Sequence, residues 1–230
     1  MKHLPMLLLG LILLMPGDAF SQVYENPIFQ HLEYMRRERL LNDYNELLYE
    51  NIEGTPFFTE EFIKGIVYMK SGESYTGEFR YDIYADQIQF IGGEKIYCIA
   101  FPEKLSYVLI GDMSIKYVGY EQNGVPAHGY FITLEDGYYS LYLKKGKVLN
   151  DPVGLKPYQS AKPAKFVDKI DIYYIKIGEN PALRVKGMRN LLKLLPGEKD
   201  NIRDYIDSEG IKPGNRFDLV KLVLYLNKSD

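Results

Sequence analysis

Gly129-Tyr130-Phe131-Ile132-Thr133-Leu134-Glu135-Asp136-Gly137-Tyr138-Tyr139-Ser140-Leu141-Tyr142-Leu143-Lys144 is the stretch that decides the fold. Two runs flank an Asp-Gly pair, and within each run the side chains alternate with the period of two that places neighbours on opposite faces of a strand. Asp136-Gly137 supplies residues that tolerate the positive φ values of a two-residue hairpin turn. The stretch therefore predicts two antiparallel strands joined directly.

The same alternation spreads outward from it. In Tyr75 to Tyr81, the set Tyr75, Gly77, Phe79 and Tyr81 points one way and Thr76, Glu78 and Arg80 the other. Gln87 to Ile91, Leu105 to Leu109 and Ser114 to Tyr120 repeat the pattern, separated by the turn pairs Ala85-Asp86, Gly92-Gly93, Gly111-Asp112 and Asn123-Gly124. Short strands joined by short turns pair with their neighbours in sequence, which gives a meander. A meander of this length curls into an open barrel or packs as a sandwich. The chain carries 21 Tyr against 11 Phe and no Trp, in keeping with a sheet on which the ring packs and the hydroxyl reaches a partner.

Helical spacing frames this sheet. From Ile28 to Asn51 the apolar residues Ile28, Leu32 and Met35, then Leu40, Leu41, Tyr44, Leu47 and Leu48, predict one helix or two, stopped by Gly54-Thr55-Pro56. Residues 150–167 hold Pro152, Pro157 and Pro163 with little periodicity and read as a long crossing loop. A last hairpin runs from Asp171 to Ile177, turns through Gly178-Glu179-Asn180-Pro181 and returns through Leu183 and Val185. Met188, Leu191, Leu192 and Leu195 then open a cluster of about three short helices; the third, from Phe217 to Leu226, is apolar on more than one face and should be largely buried. Asn215 and Asp218 resemble a capping box at its start. The expected fold is α+β, mainly β, with residues 22–150 forming an N-terminal helix and meander, 151–185 a proline-containing loop and final hairpin, and 186–230 a helical region packed on the sheet.

Residues 1–21 have the form of a signal peptide. Lys2 and His3 precede an apolar run from Met6 to Met15, and Ala19-Phe20-Ser21 closes it with small residues where a signal peptidase reads. That run is shorter than the roughly 20 residues a spanning helix needs, so no integral membrane segment is expected after cleavage. The expectation is a soluble protein exported to the periplasm or beyond. The lone cysteine, Cys98, does not follow the signal, which argues against a lipoprotein, and it leaves no partner for an internal disulfide.

Several chemistries find no residues to carry them. A net charge of −3 argues against a nucleic-acid partner. Past the signal only His31, His128 and Cys98 offer soft metal ligands, without zinc spacing, and Asp112, Asp136 and Asp168 are too scattered for a calcium loop. No Gly-x-Ser-x-Gly occurs, Cys98 sits in the apolar run Ile96 to Ala100 and reads as core, and Gly92-Gly93 is a turn rather than a phosphate cradle. No catalytic, cofactor-binding or metal-binding residue is assigned.

Two groups of residues stand out as contacts. Arg80-Tyr81-Asp82-Ile83-Tyr84-Ala85-Asp86 is the densest polar and aromatic cluster at a strand end. Tyr81 and Ile83 should pack inward, Arg80 pair locally with Glu78 or Asp82, and Asp86 start a turn; the sharper reading makes Arg80, Tyr84 and Asp86 a patch for a ligand or partner. Tyr138, Tyr142 and Tyr174 form the second group, on the face opposite Leu141, Leu143, Tyr173 and Ile175.

The chain also resembles a group of uncharacterised secreted or periplasmic proteins of Bacteroidota-type bacteria. The residues that carry the likeness are Asn51-Ile52-Glu53-Gly54-Thr55-Pro56-Phe57, Phe62 to Tyr68, and Arg80 to Asp86 with Phe90; the tail adds Tyr173-Tyr174, Leu191 to Leu195, Ile202 to Ile206 and Asp218 to Asn227. What this resemblance implies is an envelope or secreted protein with no active-site residue to carry over. The first functional expectation is a non-enzymatic protein that binds an envelope protein partner or a small ligand. An apolar-ligand (lipid) carrier with a curved β-sheet cup is the alternative, and a secreted hydrolase with a site assembled across loops is third.

Overall fold

A computed structural model describes residues 49, 52–152, 162–195 and 199–229. The expected signal segment lies outside the described residues, as does the expected helix over 28–51 apart from Tyr49.

The alternating runs become strands β1 (Ile63–Met69), β2 (Ser74–Asp82), β3 (Gln87–Gly92), β4 (Lys95–Cys98), β5 (Leu105–Ile110), β6 (Met113–Gln122), β7 (Val125–Glu135), β8 (Tyr139–Lys144), β11 (Ile172–Ile177) and β12 (Leu183–Arg184). They form one antiparallel sheet in the order β12-β11-β8-β7-β6-β5-β1-β2-β3-β4. The mainly-β expectation holds. Pairing follows the chain except at β5, which lies beside β1 rather than β4 after a short 3-10 turn over Pro102–Lys104, and at β11, which lies beside β8.

Residues 150–167 are not wholly a loop. β9 (Lys147–Asn150) and β10 (Lys165–Asp168) pair as a separate two-stranded ribbon, which the sequence hides because each strand is only four residues long. Helices α1 (Met188–Leu194), α2 (Lys199–Glu209) and α3 (Arg216–Ser229) close the chain.

The sheet coils in two opposite senses. β2 and β7 are separated by β1, β5 and β6, so on a flat sheet their side chains would stand roughly 19 Å apart at about 4.8 Å per strand. The Tyr81 and Tyr130 rings are 6.1 Å apart, so the first half of the sheet curls round the face bearing Phe79, Tyr81, Ile88, Val108, Ile115 and Tyr130, all buried. In the second half the other face turns inward. β5 pairs with β6 only from Met113 to Ile115, and the edge of β6 freed beyond that point receives Ala182: the Ala182 N–H donates to Gly119 O at 2.9 Å and the Glu121 N–H donates to Ala182 O at 3.1 Å. This parallel bridge joins β12 back to β6 and closes β6, β7, β8, β11 and β12 into a ring. Val118, Tyr120, Phe131, Tyr142, Tyr174 and Ala182 fill it.

The turns differ from expectation in an informative way. Asn123 and Gly124 take φ values of 54° and 83°, the pair of positive values that a two-residue hairpin needs, and β6 pairs β7 through to Gln122↔Val125. Asp136-Gly137 does not use positive φ at all. Its hairpin has a bulge between Thr133 and Glu135, and the Asn227 side chain occupies the space beside Gly137. Tertiary packing has overridden the local turn preference.

The helices cover the outer face of β8 and β11. Leu191, Leu195, Ile202, Ile206, Leu219 and Leu222 are buried against Tyr139, Leu141, Ile175 and Val185. α3 is less buried than its composition suggests, since Phe217 is 78% and Leu224 39% exposed. Asn215 caps it by accepting the Phe217 N–H at 2.9 Å. Asp218 does not complete a capping box; its carboxylate accepts the Lys212 N–H at 3.0 Å instead.

At its far end α3 stands in for a strand. Asn227 Oδ1 accepts the Tyr139 N–H and its Nδ2 donates to Tyr139 O, both at 2.9 Å, so one amide pairs with the first residue of β8 as a backbone neighbour would. Asn227→Ala is expected to lower unfolding stability by about 1–3 kcal/mol, the cost of stranding buried peptide groups. Urea denaturation of the variant checks this; a loss below about 0.5 kcal/mol would show that water replaces the amide.

Candidate functional site

The structure separates the residues expected to act together. Arg80 is 5% exposed, so it cannot touch a partner. Its guanidinium lies 3.5 Å from the Phe57 ring centroid and 4.3 Å from that of Phe62, while Nε and Nη2 both donate to Gln89 Oε1, at 3.1 and 2.7 Å. Tyr84 is exposed but leans edge-on against Phe166 and Tyr49. Asp86 belongs to neither group; it reaches the other way, to β7. Among the tyrosines, Tyr142 and Tyr174 do stand opposite Leu141 and Ile175, yet both are buried in the closed ring. Only Tyr138, 59% exposed, is free at the surface.

Asp86 completes an ionic knot. β7 and β8 part after Ile132↔Leu143, which leaves the Tyr130 N–H and C=O with no strand on that side. Asp86 Oδ2 accepts the Tyr130 N–H at 3.3 Å, and Lys144 Nζ donates to Tyr130 O at 2.8 Å and to Asp86 Oδ2 at 2.7 Å. The Tyr81 hydroxyl donates to Asp86 Oδ1 at 2.7 Å. Gly129 makes room for this: a Cβ there would come within 2.6 Å of Asp86 Oδ2 and 2.8 Å of Lys144 Nζ. Burial pulls the Lys144 pKa below that of an ordinary lysine, against the pull of Asp86. Burial first, then Asp86, push Tyr81 and Tyr130 well above an ordinary phenol. Such groups hold protons rather than trade them near neutral pH.

Cys98 and His128 lie outside this knot. Burial pushes the Cys98 thiol up to about 12, far from the range in which a thiolate attacks. His128 stacks on Tyr117 at 5.9 Å. Among the described residues no group of three His, Cys, Asp or Glu side chains is placed to hold a metal ion.

The concave site lies elsewhere, where the β6–β7 hairpin tip, the β11–β12 turn and α1 converge. A cavity of about 580 Å³ is walled there by Tyr138, Ile175, Ile177, Pro181, Leu194 and Lys193. A second, of about 370 Å³, is walled by Tyr174, Ile172, Arg184, Lys186 and Asn190. Glu121, Gly124, Leu183 and Leu194 border both, so the two adjoin as a larger and a smaller lobe, divided by this partition and by β11, whose Ile175 and Tyr174 face opposite ways. The larger lobe lies in the usual range for a small-molecule site. Of the residues singled out from the sequence, Tyr138 lines one lobe and Tyr174 the other. Glu121, Leu183, Arg184, Lys186, Lys193 and Leu194 went unnoticed; the signal available was that two tight turns, Asn123-Gly124 and Gly178 to Pro181, flank them.

No known family model matches the chain, and no curated protein or solved structure does either.

The knot yields a paired expectation. Tyr81→Phe removes a hydrogen bond to a carboxylate and should cost about 1.5–3 kcal/mol. Tyr130→Phe removes a buried hydroxyl that has no partner and should be neutral or stabilising. Because both phenols are raised in the fold, the stability they carry is full below pH 10 and declines as pH rises above it. Urea denaturation of both variants, with tyrosinate absorbance followed between pH 9 and 12, measures this; equal losses in the two variants would show that Tyr130 has a partner.

Proposed function

We propose that the chain is an exported, non-enzymatic binding protein whose small ligand enters the cleft beneath the β6–β7 hairpin. The observation that carries this reading is the cleft itself, with apolar walls at Ile177, Pro181, Leu183 and Leu194 and polar groups gathered in the smaller lobe. Its composition favours binding over hydrolysis. Among the described residues Glu121 is the single carboxylate along the walls, and no Ser, His or Cys lines them, whereas glycosidic cleavage uses two carboxylates and acyl transfer a nucleophile with its base.

The lipid-carrier reading moves from the inside of the sheet to its flank. Tyr120, Phe131, Tyr142 and Tyr174 pack ring to ring within the closed ring, at centroid distances of 5.1 to 6.0 Å, which leaves the sheet's interior to side chains. Export rests on the signal-like residues 1–21, supported by the resemblance to secreted proteins; among the described residues no helix is long and apolar enough to cross a membrane.

The absence of tryptophan from the chain provides a clean reporter. Tyr138→Trp places one indole at the rim of the larger lobe. A panel of small metabolites and amphiphiles is expected to include compounds that shift its emission saturably, and adding Leu194→Glu should weaken them at least about tenfold through a charge placed in an apolar wall that Glu121 also borders. An emission spectrum that no compound moves would overturn the proposal.

A further inference from the structure

We infer that the two lobes join around their shared border and take one amphipathic anion, with its acidic head in the smaller lobe and its apolar body in the larger. The inference rests on the cleft being the binding site and adds the chemistry of the ligand.

The smaller lobe is a set of donors whose acceptors are already used. Arg184 and Lys186 line it, both are exposed, and neither is in an ion pair among the described residues. The Asn190 side chain accepts the Lys186 N–H through Oδ1 at 2.8 Å, which turns its NH₂ end outward as a donor. Gln122 repeats the arrangement: its Oε1 accepts the Tyr120 hydroxyl at 3.1 Å, leaving Nε2 to donate. A guanidinium, an ammonium and two amide NH₂ groups suit a head made of acceptors, such as a carboxylate or phosphate. The guanidinium also acts on the lobe's wall, where Arg184 opposes the upward pull of burial on its cross-strand neighbour Tyr174.

Charge decides the sign. Among the described residues, Arg184, Lys186 and Lys193 on the two lobes face Glu121 as the single carboxylate, so the field across the cleft favours an anion. Beyond the partition the walls become apolar at Ile175, Ile177 and Pro181, and there a hydrocarbon body escapes water. Glu121 borders both lobes, where it opposes an anion and favours heads that sit deep among the donors.

Titration calorimetry of the full chain with octanoate, decanoate, decyl phosphate and decanol tests the assignment. Decanoate or decyl phosphate should bind at least about tenfold more tightly than decanol. Decanoate should exceed octanoate by about fourfold per methylene. Replacing Arg184 and Lys186 together by Gln should remove the advantage over decanol, and Glu121→Gln should tighten the anions. Equal affinity for the decyl compounds would overturn the anionic head while leaving an apolar cleft. No binding by any of the four, with other compounds still shifting the Tyr138→Trp emission, would overturn the amphipathic ligand alone; silence in both assays would remove the cleft as a site.

Discussion

The architecture depends on the backbone N–H and C=O of one residue, Tyr130. At this residue β8 leaves β7, and a buried N–H and C=O lose their strand partner. An unmet pair in the interior would cost several kcal/mol. The chain meets it with two side chains of opposite charge, Asp86 from the β2–β3 turn and Lys144 from the end of β8. Because Asp86 is 44 residues distant from Tyr130 in sequence, satisfying that pair also fixes how tightly the first half of the sheet must coil. The ion pair is therefore better described as a geometric constraint than as a source of net stability, given what desolvating both charges costs.

Once β8 has diverged, the sheet can reverse its curl, and the reversal places the cleft. The freed edge of β6 is available to Ala182 only because β5 stops at Ile115↔Val108. Docking Ala182 brings the Gly178 to Pro181 turn beneath the β6–β7 tip and sets α1 alongside. The walls of the cleft thus come from sheet strands β6, β11 and β12 together with α1 and two tight turns.

Much of this was legible in the sequence. Period-two alternation located the meander strands, and apolar spacing located α1 to α3, because both signals depend only on residues a few positions apart. Asn123-Gly124 behaved as its chemistry dictates, whereas Asp136-Gly137 did not, since Asn227 presses on that turn from a distant helix. β9 and β10 escaped notice because four-residue strands between prolines have no period to show. Arg80 looked like a surface contact because it lies among charged and aromatic neighbours, yet residues 57 to 62 fold over it. The cleft was least legible of all: its walls come from β6, β11, β12 and α1, and only a reversed sheet curl brings those together.

The amide of Asn227 also bears on the order in which the molecule can form. The first half of the sheet is complete once the chain reaches Lys144, and its contacts span modest separations. The outer face of β8 is different, since Tyr139 waits for a partner 88 residues later, near the last turn of the last helix. A chain growing from its amino end can assemble the first coil early, whereas the outer face of β8 is completed only once Asn227 has been made. Closure of that face is therefore a late event, set by one amide rather than by a strand.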